Sequence, residues 1–256
     1  MVDTNLWLEK YAPNELDVMI LKSDVKNQLE NVLENPQNII LYGSPGVGKG
    51  TFTKIFLDHT GFDHLQINAS HDTGIDNVRN LIRPFSTAPS HKEFFSPPDL
   101  EENKYFERFG HLKVVVLNEA DYLSQESQAA LRELMEKVER LCKFIFMTNR
   151  IDKIDQAIQS RCALIEIKEP PISDITSFIK NILDHENISF ENEAIDTLVI
   201  KNYPDIRKTI NQIKSNCSGD QLVIGNTQPV HETVDQVLLD LRMYITLHNI
   251  EKRQLY

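Results

Sequence analysis

Residues 39–61, "IILYGSPGVGKGTFTKIFLDHTG", confine the chain to few folds. An unbroken apolar run predicts a buried strand, a glycine-rich turn follows at once, and the next segment reads as a helix closed by Gly61. Strand, glycine turn and helix in that order are the context of a phosphate-holding loop. Glycines let backbone N–H groups point at phosphate oxygens, and the helix N-terminus adds its positive end. Gly43, Gly46, Gly48 and Lys49 stand at the offsets such a loop requires, with Lys49 set to reach the outer phosphates. The candidate cofactor-binding segment is therefore Gly43, Ser44, Pro45, Gly46, Val47, Gly48, Lys49, Gly50 and Thr51. The plainer alternative is a tight strand-to-helix turn that binds nothing. One position departs from the pattern: Gly50 stands where a serine or threonine hydroxyl usually ligates magnesium. Thr51 offers a hydroxyl to phosphate one step later.

Further strands are predicted at 64–69, 112–121, 143–149 and 163–167, with helices between them at 76–83 and 124–138. A helix at 23–35 precedes the first strand. Alternation of this kind implies a parallel sheet covered on both faces. Residues 86–111, with several prolines and aromatics, interrupt the rhythm and read as an inserted surface loop. After Pro170-Pro171 only helical patterns follow, at 173–186, 191–201 and 205–214. The fold class expected is α/β: a P-loop domain over 1–167, a small helical domain over 168–215 and a short helical extension over 216–256. In that extension, 215–229 is turn-rich and 231–248 is an amphipathic helix.

Composition narrows the function classes. Net charge is -11, which counts against a free-standing nucleic-acid binder, although a local basic stripe or neighbouring subunits change that balance. Three cysteines without a CxxC pair argue against a disulfide framework or zinc module and for a reducing compartment. The N-terminus lacks a signal-peptide pattern, and no apolar run approaches the roughly 20 residues of a membrane helix. An intracellular location, cytoplasmic or nuclear, and no membrane partner are expected.

Nucleotide chemistry needs a second strand ending in acids. "VVVLNEAD" (114–121) supplies Glu119 as a water-polarising base, but the metal partner expected beside it is Asn118, an amide and a weaker magnesium ligand. Asn149 ends the next strand, at the carboxyl edge where open α/β sheets bind ligands. Taken alone, each is also what a strand end followed by a cap or turn would show.

Taken together, "NLWLEKYAPNELD" (5–17), "INASHDTGIDNVRNLI" (67–82), "LNEADYLSQESQAALRELME" (117–136), "QSRC" (159–162) and "PDIRKTINQIK" (204–214) resemble, in order, a clamp-loader small subunit of the replication factor C type, an AAA+ ATPase. The resemblance covers residues 5–214, and "SRC" is its most specific motif. It implies ATP as cofactor, with magnesium in question, and an ATPase whose hydrolysis is open. It implies a hetero-oligomer with other clamp-loader subunits, a sliding clamp and primer-template DNA as partners during DNA replication. It implies catalytic roles for Glu119, Asn149, Arg161 and Arg207: Arg161 as a finger reaching the neighbouring subunit's ATP, Arg207 as a sensor on the helical lid. Tyr11 and Pro13 match the segment lining the adenine pocket, and Gln128 matches a hydrogen-bonding hub. Arg79 and Arg83 match the face that tracks DNA phosphates, and are equally readable as two solvated arginines.

Departures accompany the resemblance: Ala12, Glu133 and Pro204 replace an arginine, an arginine and a glycine. Residues 216–256 are too few for the family's C-terminal collar, so a reduced or truncated collar is expected. Three alternatives stay open: an active ATPase, a non-hydrolysing scaffold that lends Arg161 to a neighbour, and an AAA+ remodeller unrelated to replication. The loop string also resembles adenylate kinases, but their arginine-rich lid and "DGFPR"-like segment are missing.

Overall fold

The computed structural model describes residues 7–70, 74–90, 108–110 and 112–223. Five strands form one parallel sheet: β1 (Ile39–Tyr42), β2 (Asp63–Asn68), β3 (Lys113–Asn118), β4 (Cys142–Thr148) and β5 (Ala163–Glu166), in the order β2-β3-β4-β1-β5. In register, β1 pairs with β4 through Ile39–Ile145 and with β5 through Ile39–Ala163, while β3 joins β2 through Val114–His64 and β4 through Val114–Lys143.

The apolar runs of β1, β3 and β4 are continuous because both faces of those strands are buried, and successive side chains part to opposite faces. Ile39, Leu41, Val114, Val116, Ile145 and Met147 pack with Val25, Leu29, Phe52 and Phe56. These last belong to α2 (Ser23–Glu34) and α3 (Lys49–Thr60). Ile40, Val115, Leu117, Phe144 and Phe146 face the other way, against Val78, Ile82, Leu131 and Met135. That second layer is a helical segment made of α4 (Ile75–Asn77), a π-helical turn (Val78–Ile82) and α5 (Arg83–Thr87), together with α6 (Gln125–Lys137). Ser124 caps α6 by accepting from the Ser127 N–H at 3.1 Å.

The short helix α7 (Gln156–Gln159) leads into β5. Beyond Pro170-Pro171 lie α8 (Ile172–His185), α9 (Asn192–Asn202) and α10 (Ile206–Ser215). Their apolar stripes meet in one cluster: Ile175, Ile179 and Leu183 against Ile195, Leu198, Val199, Ile210 and Ile213. A small antiparallel hairpin, β6 (Cys217–Ser218) with β7 (Gln221–Leu222), follows and places Leu222 in the same cluster. Two-residue strands leave no periodic signal, so the sequence shows that segment only as turns.

Trp7, in the one-turn helix α1 (Trp7–Lys10), is 8% exposed and packs inside this helical cluster, not against the sheet. The N-terminal segment thus crosses from the α/β domain to the lid. Tyr11 strengthens the crossing: its hydroxyl donates to Glu186 Oε1 at 2.6 Å and lies 2.9 Å from His185 Nδ1.

The 86–111 segment is loop-like only in part. Helix α5 runs to Thr87, and Ser90 is buried with its hydroxyl donating to Asp63 Oδ2 at 2.5 Å. Lys113, at the head of β3, is 2% exposed and gives its ammonium to the Phe85 and Ala88 carbonyls at the end of α5. Burial pulls its pKa below the ordinary value, and carbonyls at a helix end are what compensates a buried cation. The expected 231–248 helix and residues 91–107 of the insertion lie outside the described residues.

Candidate functional site

At the carboxyl end of β1 the chain turns through Gly43–Gly48 and enters α3 at Lys49. Gly46 is held at φ +74, and a Cβ there would fall 2.0 Å from Asp205 Oδ1 of the lid. The glycine is what lets the lid rest on the loop. Asp205 in turn caps α10, its Oδ1 accepting from the Lys208 N–H at 2.9 Å.

The Lys49 ammonium donates to the carbonyls of Gly43 and Ser44 at 2.7 and 2.8 Å and to Asn149 Oδ1 at 2.8 Å. These three bonds use all the donors a lysine has. Burial pulls Lys49 down to about 8; the Asp121 carboxylate opposes this, Arg207 adds to it and Asp205 opposes it. Asp121 also accepts from Thr148 Oγ1 at 2.8 Å, which ties the end of β4 to the turn after β3.

A cavity of about 710 Å³ opens between loop, sheet edge and lid. Of the residues singled out from sequence, Tyr11, Pro13, Pro45, Gly46, Val47, Gly48, Lys49, Gly50, Thr51, Asn118, Glu119, Asn149 and Arg207 line it. Gly43 and Ser44 stand behind the wall: their carbonyls hold Lys49, and the Ser44 hydroxyl donates to Glu169 Oε1 at 2.5 Å. Glu119 is exposed and sits in the left-handed region at φ 52, sparsely populated for a non-glycine residue. Strain of this kind clusters at working sites.

Arg161 is elsewhere. Its guanidinium pairs with Glu136 Oε1 of α6, Nε at 3.1 Å, and Nη1 donates to the Ala157 carbonyl at 2.6 Å. Arg79 lines a separate cleft of about 630 Å³ with Arg132, Glu126, Glu133 and Glu136. Arg83 is exposed, and its charge helps hold the Glu133 carboxyl below its ordinary range, behind the larger effect of the Lys137 ammonium. Gln128 is 4% exposed and joins three strands of chain: its amide N–H donates to the Leu123 and Lys153 carbonyls, and its oxygen accepts from the Asp155 N–H at 2.7 Å.

Sequence reasoning missed part of the wall: Met19, Lys54, Gln66, Asn68, Phe178 and Ile206 also line the cavity. Lys54 carried a legible signal, since it lies four residues after Gly50 on the same helix and side chains so spaced share a face. Lys54 and Arg207 make no hydrogen bond or ion pair with any described residue.

The donor set does not fit a directly ligated magnesium ion. Gly50 has no side chain, and nothing lies within 4 Å of where its Cβ would stand. Asn118 presents a neutral amide, a weaker magnesium ligand than a carboxylate, and its buried Oδ1 has no hydrogen-bond partner among the described residues. Among the described residues no group of three or more His, Cys, Asp or Glu is gathered to hold a metal.

The family model for ATPases associated with various cellular activities matches residues 39–169, which hold the loop and all five strands. A second, described as the AAA+ ATPase lid domain of the sliding-clamp-loader large subunit, matches residues 175–225. Replication factor C subunit 4 of Saccharomyces cerevisiae is 30% identical over 236 residues, 90% of this chain and 68% of that protein. The chain belongs to the replication factor C small-subunit family of AAA+ ATPases. Further similar proteins are the replication factor C small subunits of Methanocella arvoryzae, 32% identical over 84% of this chain and 64% of that one, and Archaeoglobus fulgidus, 30% over 89% and 68%. The chain thus spans about two thirds of the length of the relatives it matches. Among solved structures, a Thermotoga maritima RuvB Holliday junction branch migration motor superposes with TM-score 0.62 at 15% identity, covering 80% of this chain and 64% of that one; it shares the fold. Membership of this ATPase family implies nucleotide binding, usually with magnesium. No helix among the described residues is long and apolar enough to cross a membrane.

Proposed function

We propose that the chain is a clamp-loader subunit that binds ATP between its α/β domain and its lid and works with neighbouring subunits to place a sliding clamp on primer-template DNA. One observation carries the reading: Lys49 and Asn149 of the α/β domain and Arg207 of the lid line a single cavity that also holds Tyr11 and Pro13. A nucleotide in that cavity touches both domains, so binding fixes their relative position. The loop amides and Lys49 hold phosphate, the N-terminal segment takes the base, and Arg207 reads the outer phosphate from the lid.

Arg161 lies outside its own cavity, just after α7, and serves a neighbour's nucleotide in trans, where a fixed guanidinium stabilises charge on the transferring phosphoryl group. Arg79 and Arg83 face DNA phosphates on the exposed side of their helix. With a net charge of -11, the chain relies on other subunits for most of its DNA affinity.

A second reading has its own observation. Glu119 lines the cavity in a strained backbone conformation, which favours a base that orients water for hydrolysis in cis. The test is the assembled complex. Arg161→Ala is expected to lower DNA-stimulated hydrolysis, and failure to do so sinks the role in trans. Loss of turnover on Glu119→Gln marks this chain as a hydrolysing subunit; unchanged turnover marks it as a holder of nucleotide. Failure to assemble with other loader subunits or a clamp defeats the reading as a whole.

A further inference from the structure

Two positions that hold magnesium in a phosphate loop of this kind are altered here, and the cavity carries a cation that the loop pattern does not require. Position 50 has no hydroxyl, and Asn118 replaces a carboxylate. Lys54 lies on α3 one turn after Gly50 and lines the same cavity. Helical side chains lean toward the helix N-terminus, so a lysine at 54 extends toward the space over position 50. That space is open, with nothing within 4 Å of a Cβ placed on Gly50. The buried Asn118 Oδ1 has no donor among the described residues. Lys54 is without a hydrogen bond or ion pair among the described residues.

We infer that the Lys54 ammonium supplies, in this chain, the positive charge that magnesium supplies in related loops, so that the site binds nucleoside triphosphate without a directly ligated metal. The glycine at 50 and the amide at 118 then belong together: one clears the path for the lysine, and the other removes a carboxylate that would compete with phosphate for it. Lys49, Lys54 and Arg207 line the cavity with Glu9 and Glu119, and the Asp121 and Asp205 carboxylates act on Lys49, so Lys54 and Arg207 are the cavity's cations with no ion pair among the described residues. The inference rests on the nucleotide reading proposed above.

The test is calorimetric titration of ATP into the full chain, once with magnesium and once with EDTA. The wild-type affinity is expected to agree within about threefold between the two. Lys54→Gln is expected to lose on the order of tenfold in EDTA, the worth of one charged hydrogen bond to phosphate, whereas Lys54→Arg keeps most of the affinity. The double change Gly50→Thr with Asn118→Asp, which restores a hydroxyl and a carboxylate, is expected to make binding depend on magnesium. A wild-type affinity that collapses in EDTA overturns the inference and leaves the nucleotide reading standing. A Lys54→Gln protein that binds like wild type in EDTA overturns it equally. Absence of ATP binding under both conditions defeats the nucleotide reading itself.

Discussion

Gly46→Ala tests whether the lid rests on the phosphate loop. Gly46 sits at φ +74, and an added Cβ would stand 2.0 Å from Asp205 Oδ1 and 3.0 Å from Asp205 Cα. An L-residue in the left-handed region costs about 1–2 kcal/mol. Relief of the clash moves Asp205, which caps α10 through Lys208 N at 2.9 Å; a lost cap costs about 1 kcal/mol. The reduced freedom of the unfolded chain returns about 0.4–1 kcal/mol. The net loss is about 2 kcal/mol, a fall of roughly 4–8 °C in Tm for a chain of this size. ATP affinity falls with it, because Arg207 lies in the first turn of the displaced helix. Gly50→Ala is the control. The substitution is the same and the loop neighbouring, but the Cβ meets nothing within 4 Å, and in a helix the change stabilises by up to about 0.5 kcal/mol. Differential scanning calorimetry of both variants decides the matter. Equal melting temperatures for Gly46→Ala and Gly50→Ala would refute a lid seated on the loop.

Three further outcomes are expected. Lys49 titrates near 8 in the empty site while its unfolded value is 10.5, so the unfolded chain binds more protons in between and this group's contribution to stability rises with pH through that window. Phosphate favours the ammonium form, so ATP affinity is full below about 8 and declines above it; titration at two pH values in buffers of different ionisation heat checks both the decline and the proton uptake. Trp7→Ala removes a buried indole from the lid and is expected to cost about 3 kcal/mol, read by urea denaturation as early loss of the lid helices. As Trp7 is the sole tryptophan and packs edge-on to Tyr11 at 6.3 Å, its fluorescence is expected to change when nucleotide enters the cavity that Tyr11 lines. Glu136→Gln removes the carboxylate that holds Arg161; surface pairs contribute little to folding, so stability hardly moves while hydrolysis by the assembled complex drops toward that of Arg161→Ala.

What the sequence reveals follows from where each signal resides. The strands are legible because burial on both faces makes them continuously apolar, as in "KVVVL" and "KFIFM". The loop is legible because backbone geometry demands glycine at fixed offsets. The Arg161–Glu136 pair is not, since it joins residues 25 apart in chain through a contact between α6 and the turn after α7 that no local pattern encodes. Trp7 misleads for a related reason: it precedes the α/β domain in sequence yet belongs to the core of a domain more than 160 residues later. Lys113 hides inside an apolar run because its partners are carbonyls, which have no sequence signature.

The same distinction explains how an acidic chain can hold a polyanion. A net charge of -11 offers no long-range attraction to phosphate, so recognition must operate at contact distance. The cations that matter are few and placed by different means: Lys49 by the loop, Lys54 by the helical repeat after it, and Arg207 by a lid whose cap lies against Gly46. Arg207 and Lys54 are both exposed at the cavity and without a hydrogen bond or ion pair among the described residues, one from each domain. The nucleotide therefore compensates charges that the empty chain leaves unpaired on two separate bodies, and that is a physical reason for its binding to drive them together.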